Sequence, residues 1–529
     1  MPIPTLIEFA SDKMLIQLLV KERSKCRRRN RTETHHHLDK NCDLSELTTR
    51  KKLSRLMPPR YSWVRPSKRV TLSNGAHDTS KNAENALLLT ISRDMRLQKQ
   101  GQTFDYLDEQ QAYFKKIRNI LASSRLSFHT PRLMPILKDT RQQPDGTLHV
   151  TCRPLSVYTQ LDDKIILALT SRYLTRYFDR YLHDNILSYR PARNFLGQKH
   201  YVTDFNDGIR LIKAFRESHA TDTIYASDCD IKKFYDIIPH QVIRDCFTRL
   251  LQKTQLSPEG QSQVMRVLSA YLSSYNFHTH ALQQSRQCNE VFAKVRRRLH
   301  DSERRNTYQL GWVDELLNSS PEQYKQVGVP QGGSLSLLIA NIVLNDVDQA
   351  VLANDDPHRL FIRYCDDMLL LHTDYAECCR LMKAYADSLT AHGLYFHPFK
   401  SLSECTRYDF WHIKSHHPFL WGDGDGNCNR YIGFLGYEIR RDGRMRLRKS
   451  NIKRIEERVN RQRYVLHRYR KTHNQADYEV HREKKCRTLL DGIQFYTAFD
   501  LTSFKHSSQY RYIQKLVQSL ASSPNNICM

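Results

Sequence analysis

Apolar residues recur at helical spacing from Tyr106 to Leu121 and again from Leu161 to Leu182, where Leu167, Leu169, Tyr173 and Phe178 take the inward positions. Between Thr223 and Asp230 the pattern changes to a short strand. Phe361 to His372 reads as strand, tight turn, strand, closing on the apolar run Met368-Leu369-Leu370-Leu371. Both strand regions carry acids at an end, which is unusual for buried strands. Beyond Tyr437 the chain turns basic and helical, from Asn451 through Arg470 and from Arg487 to Leu520, with few turn residues before Pro524. The first hundred residues are polar and only weakly periodic, so they are expected to form an extension or a partly ordered arm. The pattern predicts an α+β protein in four parts: 1–100, the basic extension; 101–222, helices with strands; 223–440, the strand-bearing centre, with an insertion ahead of Gln331; and 441–529, a helical end.

Composition narrows the partner. The 529 residues carry 82 Lys and Arg against 56 Asp and Glu, a formal charge of +26 that attracts polyanions, nucleic acid first among them. The thirteen cysteines include no Cys-x-x-Cys pair, so no zinc site is expected, and free thiols in a reducing cytoplasm fit them best. No run approaches the roughly 20 apolar residues of a membrane span, and the mean hydropathy is −0.63. A cytoplasmic, membrane-free protein is the expectation. Two metal-like patterns fail on geometry. His35-His36-His37 cannot turn three consecutive rings to one ion. Asp423-Gly424-Asp425-Gly426-Asn427 alternates oxygen donors like a calcium loop, but Phe434 falls where a bidentate carboxylate is needed, so it reads as a hairpin turn.

The acids at the strand ends carry the chemistry. Asp230 closes the first strand, and Asp366 and Asp367 follow Tyr364 in the tight turn. Three carboxylates brought together suit two hard cations roughly 4 Å apart, one activating a 3′-hydroxyl and one holding a leaving pyrophosphate.

Tyr364-Cys365-Asp366-Asp367 resembles the Tyr-x-Asp-Asp motif of reverse transcriptases, and its neighbours fall in that family's order. Gly328-Val329-Pro330-Gln331-Gly332-Gly333-Ser334 is similar to the Pro-Gln-Gly loop that supports the nascent base pair, followed by a helix. His392-Gly393-Leu394 leading to Lys400 resembles the next motif, whose lysine can act as general acid. The intervening Tyr395-Phe396-His397-Pro398-Phe399 departs from the family's asparagine-containing version. Gly433-Phe434-Leu435-Gly436-Tyr437 resembles a primer-grip hairpin. Arg153-Pro154-Leu155, Asp162-Asp163-Lys164-Ile165 and Ser188-Tyr189-Arg190-Pro191 resemble fingers elements of group II intron and retron-like enzymes. Leu337 stands where intron-type enzymes usually carry proline, which suggests a side branch.

The resemblance implies a right-hand polymerase with fingers, a palm on an antiparallel sheet and a helical thumb. It implies RNA-directed DNA synthesis with two Mg2+ ions, or Mn2+, held by Asp230, Asp366 and Asp367. Tyr235, five residues beyond Asp230, would lie beneath the incoming sugar and exclude a 2′-hydroxyl. Gln331, Gly332, Arg153 and Arg190 would meet the nucleotide or template backbone, and Tyr364, Phe434, Leu435 and Gly436 the primer. No attached nuclease is expected. The resemblance runs closest to bacterial defence-associated reverse transcriptases, which implies a noncoding RNA template, dNTPs, a cDNA product and a role against phage. Three alternatives are a retron or intron-derived enzyme, a protein-primed or weakly templated polymerase, and an inactive RNA-binding scaffold. Oligomeric state is left open, a homo-oligomer on RNA being compatible with the charge.

Overall fold

A computed structural model of the chain describes residues 3–29, 45–71, 77–142, 148–195, 197–203, 205–281, 326–404, 410–424, 426–497 and 508–520. The His35 to His37 run and most of the insertion ahead of Gln331 lie outside the described residues. At the N-terminus, Thr5 and Glu8 form a reciprocal cap that starts α1 (Leu6–Phe9). Next come α2 (Asp12–Arg29), α3 (Ser45–Arg55), α4 (Thr79–Gln98), α5 (Asp105–Ala122), the hairpin β1 (Arg132–Gln142) and β2 (Leu148–Val157), and α6 (Leu161–Phe178). Leu6, Leu15, Leu18 and Leu19 are buried in one core with Phe114 and Ile117 of α5 and Tyr173 of α6. This corrects the expectation of a loose arm. The spacing of Leu15, Leu18 and Leu19 makes one apolar stripe, which the surrounding basic residues mask in the sequence and which α5 and α6 cover in the fold. Tyr173 donates to the Pro4 carbonyl at 2.7 Å, tying the first residues to the same core.

The chain then forms the short pair β3 (Arg193–Phe195) and β4 (Gln198–Tyr201), α7 (Phe205–Ser218), β5 (Tyr225–Asp230), α8 (Phe234–Ile237), α9 (His240–Gln252) and α10 (Pro258–Ser273). After the insertion come α11 (Ser334–Leu352), β6 (Arg359–Tyr364), β7 (Asp367–His372), α12 (Tyr375–Ala391), β8 (His416–Trp421) and β9 (Cys428–Asn429). The central sheet runs β6-β7-β5-β8-β9, with antiparallel pairs except for the last. The parallel β8 and β9 pair shows that Asp423 to Asn427 is not a hairpin turn. Asn427 instead donates to the Pro418 carbonyl at 2.8 Å, folding the connection back alongside β8.

Cys229, Phe361, Met368 and Leu370 pack with the core that holds α11 and α12, whereas Ala226, Leu360, Ile362, Leu369 and Leu371 face a second core. A strand buried on both faces has no polar alternation to show, which explains the continuous leucine run. Among the described residues α11 alone is long and apolar enough to cross a membrane, contrary to the reading that no run came close. Its apolar residues are buried against α9, α12 and the rest of the core, each contributing roughly 1.5–3 kcal/mol.

The second core is completed by β10 (Tyr431–Phe434), β11 (Tyr437–Arg440), β12 (Met445–Leu447), α13 (Lys449–Arg470), α14 (Gln475–Thr497) and α15 (Ser508–Gln518). The helical stretch expected from Arg487 to Leu520 is described as helix to Thr497 and again over Ser508–Gln518, with 498–507 outside the described residues. Ile455, Val459 and Leu466 of α13 meet Ile513 and Val517 of α15 beneath the sheet.

Candidate active site

Asp230 lies directly opposite Asp367 in the β5–β7 register, and Tyr364 opposite Asp367 across the β6–β7 turn. Directly opposed residues of an antiparallel pair project from the same face, with Cβ atoms about 4.5–5.5 Å apart. Cys365 and Asp366 form the two-residue turn, with Cys365 at φ +58°. Left-handed backbone at a residue with a Cβ is costly and needs outside support. The Cys365 amide donates to Ser188 Oγ at 2.9 Å and its carbonyl accepts from Arg363 Nη1 at 2.8 Å. Arg363 is itself fully buried against Asp348 of α11, at 2.7 Å. The turn that carries Asp366 is thus braced from α11 and from the segment before β3.

Two loop segments fix Asp230 from outside the β5–β7 pair. Its amide donates to Ser415 Oγ at 3.0 Å, and its carbonyl accepts from the His397 amide at 3.0 Å. The Tyr395–His397 segment, where the family pattern fails, is what braces this backbone from the far side. Asp228, on the same face two residues earlier, is taken by His416, whose Nδ1 lies 2.7 Å away. Its role is to hold β8 against β5.

Protein surroundings, then the like charges of Asp366 and Asp230, push the Asp367 carboxyl up to about 7, against the pull of Arg448 and Lys414. Its side chain still reaches solvent at the end of the strand. An all-carboxylate set that cannot comfortably hold its charges fits a hard divalent cation. Asp230, Asp366 and Asp367 are the residues placed to hold it. Among the described residues, the one His, Cys and acid group with all ligand atoms within 4.8 Å of one another is elsewhere: Cys246, Asp346 and His392. Arg249 occupies that group, donating to Asp346 at 2.8 Å and to the Cys246 sulfur at 3.3 Å.

Two cations beside the carboxylates escaped the sequence reading. Lys414 Nζ lies 3.0 Å from Asp230 Oδ2. Arg448, just ahead of α13, reaches in through the gap at Gly433, where a Cβ would sit 2.0 Å from its Nη2, and crosses the Trp411 ring at 5.3 Å. Neither lies in a recognisable motif; each arrives through a loop whose path the sequence does not encode locally. Lys400 is exposed and bound through its backbone to Ser415 and His417, so Lys414 is the lysine that contacts the cluster.

Gln331 donates to Asp236 at 2.7 Å and its carbonyl accepts from the Ser156 amide at 2.8 Å, joining the loop to β2 and α8. Gly332, at φ +86°, passes so close to Leu155 that a Cβ would lie 2.4 Å from it. Tyr235 stands in the electrostatic field of Cys365 and Asp366, its ring edge-on to Phe234 at 5.3 Å. Arg153 pairs with Ile136 in the β1–β2 hairpin. Arg190 is a correction: its guanidinium is buried, paired with Asp179 and donating to the carbonyls of His183 at 2.7 Å and Ile186 at 3.1 Å. It fastens the end of α6 and has no donor left for a phosphate. Phe434 is also buried, over Gly208, and leaves Leu435 (φ +47°) and Gly436 (φ +86°) as the partly buried turn of the β10–β11 hairpin. Tyr189, half-exposed at φ +56° within the Ser188–Pro191 element, stands beside Cys365.

The solved structures that resemble this chain include telomerase from Candida albicans in complex with a fragment of telomeric RNA, at 13% identity and TM-score 0.31, covering 76% of this chain and 59% of that one. Apo telomerase from Candida tropicalis gives 11% identity and TM-score 0.36, covering 75% and 62%. The chain spans less than two thirds of either telomerase. No curated protein matches it. The family profile described as reverse transcriptase (RNA-dependent DNA polymerase) matches residues 136–439, which take in both carboxylate strands, the Pro-Gln-Gly loop and the β10–β11 hairpin. Since that match spans more than half of the 529 residues, the chain belongs to the reverse transcriptase family.

Proposed function

We propose that this chain copies RNA into DNA by templated addition of deoxynucleotides at Asp230, Asp366 and Asp367. The supporting observation is the register that sets Asp230 against Asp367 beside a braced turn holding Asp366. Two divalent cations, Mg2+ or Mn2+, would supply activation of the primer 3′-hydroxyl and neutralisation of the leaving pyrophosphate. The three aspartates hold those charges at one sheet edge. Lys414 counters Asp230 when the edge is otherwise uncompensated. Tyr235 closes the space under the sugar, Gln331 and Gly332 present backbone to the nascent pair, and the Leu435–Gly436 turn faces the primer strand. The template in this reading is a dedicated noncoding RNA, and the biological role is defence against phage in the cytoplasm. Support for that role is the resemblance of the ordered motifs to those of defence-associated reverse transcriptases, with Leu337 marking a side branch from the intron-type enzymes.

The test is deep sequencing of RNA and DNA that copurify with the wild-type protein and with an Asp366→Ala, Asp367→Ala variant expressed from the native locus. New DNA complementary to a bound RNA, present with wild type alone, is the expected result. The same RNA with both proteins and DNA with neither would sink the reading in favour of a scaffold.

A further inference from the structure

At the end of the sheet away from the carboxylates, Tyr225 pairs with Leu420 and the Trp421 amide donates to the Ile224 carbonyl at 2.8 Å. Five residues of strand separate this point from Asp230, roughly 17 Å. A cavity of about 500 Å³ opens here between the end of α7, the start of the β8–β9 connection, Arg430 ahead of β10 and the β11–β12 turn. Four arginines line it: Arg216, Arg430, Arg440 and Arg441. At the rim, Arg430 is paired with Asp423, and Arg440 Nε lies 3.3 Å from Asp442.

The two inner arginines are compensated less. Arg441 Nη2 caps the end of α7, donating to the carbonyls of His219 at 2.9 Å and Asp222 at 3.0 Å, while its guanidinium crosses the Trp421 ring at 5.7 Å. Among the described residues no carboxylate lies within ion-pair distance of it. Arg216 shares one Nη2 with Glu217 at 3.2 Å, but its Nε is buried without a hydrogen-bond partner. Gly443, at φ +90°, lets the chain pass over that guanidinium, which a Cβ would approach to 2.9 Å. Burial, then the nearby Arg216 charge, pull the Arg441 pKa below its ordinary value, and both side chains line the one cavity.

Two like charges held together, with a buried N–H unspent beside a cavity, are arranged for an anion that bridges them. We propose that this cavity binds a phosphate group, carried either by a nucleotide or by a nucleic-acid strand, at a site separate from the polymerising carboxylates. Its volume suits a nucleotide-sized ligand and exceeds what inorganic phosphate fills.

Arg441 caps a helix, so its removal could unfold the region; Gly422 provides the cleaner variant. It lines the cavity, and a Cβ there meets nothing within 4 Å. Titration calorimetry at fixed ionic strength would compare wild type, Gly422→Glu, Arg216→Gln and the charge control Arg444→Gln, whose side chain is 77% exposed. The probes are inorganic phosphate, 5′-AMP and a twelve-nucleotide single-stranded RNA, with thermal melts confirming that each variant is folded. A nucleotide site is shown if Gly422→Glu and Arg216→Gln weaken AMP binding at least about tenfold while Arg444→Gln stays within twofold. A strand-backbone site is shown if AMP is indifferent, but both variants weaken RNA binding and make its salt dependence shallower by about one ion. Equal binding of all three probes by wild type and both cavity variants overturns the proposal. Primer extension on a supplied template should persist in Gly422→Glu, which keeps this outcome separate from that of the polymerase reading.

Discussion

In the proposed reading Tyr235 stands under the incoming sugar, where its ring would clash with a 2′-hydroxyl. Its ring is braced edge-on by Phe234 and its carbonyl accepts from the Val329 amide at 2.8 Å, so it cannot easily swing away from Asp366. Replacing it with alanine is expected to lower the preference for deoxynucleotides over ribonucleotides by about 100-fold, since a fixed steric barrier is worth roughly 3 kcal/mol here. Steady-state kcat/KM for dATP and ATP on one template measures this; an unchanged ratio would place the sugar elsewhere. The Asp230, Asp366 and Asp367 set was legible in the sequence because strand-end acids stand out from apolar runs. Lys414 and Arg448 were not, because a lysine in a loop and an arginine ahead of a helix look like any solvated charge until the fold turns them toward the aspartates.

At the scale of elements, the Cys365–Asp366 turn depends on a buried pair in the helix behind it. Arg363→Met leaves Asp348 buried without a partner, which is expected to cost about 3–5 kcal/mol and to remove the donor to the Cys365 carbonyl. Adding Asp348→Leu should restore most of the stability but not the activity. Denaturant midpoints and primer extension on both variants check this, and recovery of both properties together would show that the arginine braces only the helix. The Pro-Gln-Gly loop hangs on a second buried group: His240 Nε2 lies 2.8 Å from the Gly328 carbonyl, and burial lowers its pKa from 6.5 to about 4. The unfolded chain takes up the proton near 6.5 while the folded one resists until about 4, so this stability is fully present above pH 6.5 and lost as the pH falls toward 4. The loss approaches roughly 3 kcal/mol. Chemical denaturation at pH 7, 5.5 and 4.5 should show a steeper decline for wild type than for His240→Gln; parallel declines would discard His240 as the cause.

At the scale of the whole molecule, the described residues form a right-hand polymerase fold in which the central sheet is shared by two cores. Asp367 makes the carboxylate edge electrostatically uncomfortable. Its pKa is raised from 3.8 to about 7, so without metal the folded state loses stability as pH rises from about 4 to about 7. A divalent cation displaces the proton and removes the penalty. The rise in Tm on adding Mg2+ to chelator-treated protein is therefore expected to be larger at pH 8 than at pH 5.5. Differential scanning calorimetry at both values tests it, with an equal or reversed difference counting against metal at this edge.

The sequence by itself determined the strand-and-acid pattern, the helical end and the basic charge, because these rest on local periodicity and ordered motifs. Tertiary structure decided what depends on distant residues meeting. It packed the N-terminal helices into the core and spent Arg190 on Asp179 and backbone carbonyls. It brought Lys414 to Asp230 and set Arg216 and Arg441 around one cavity. Each of these turns on which donors and apolar faces are already satisfied by residues tens or hundreds of positions away, and no local window of sequence contains that information.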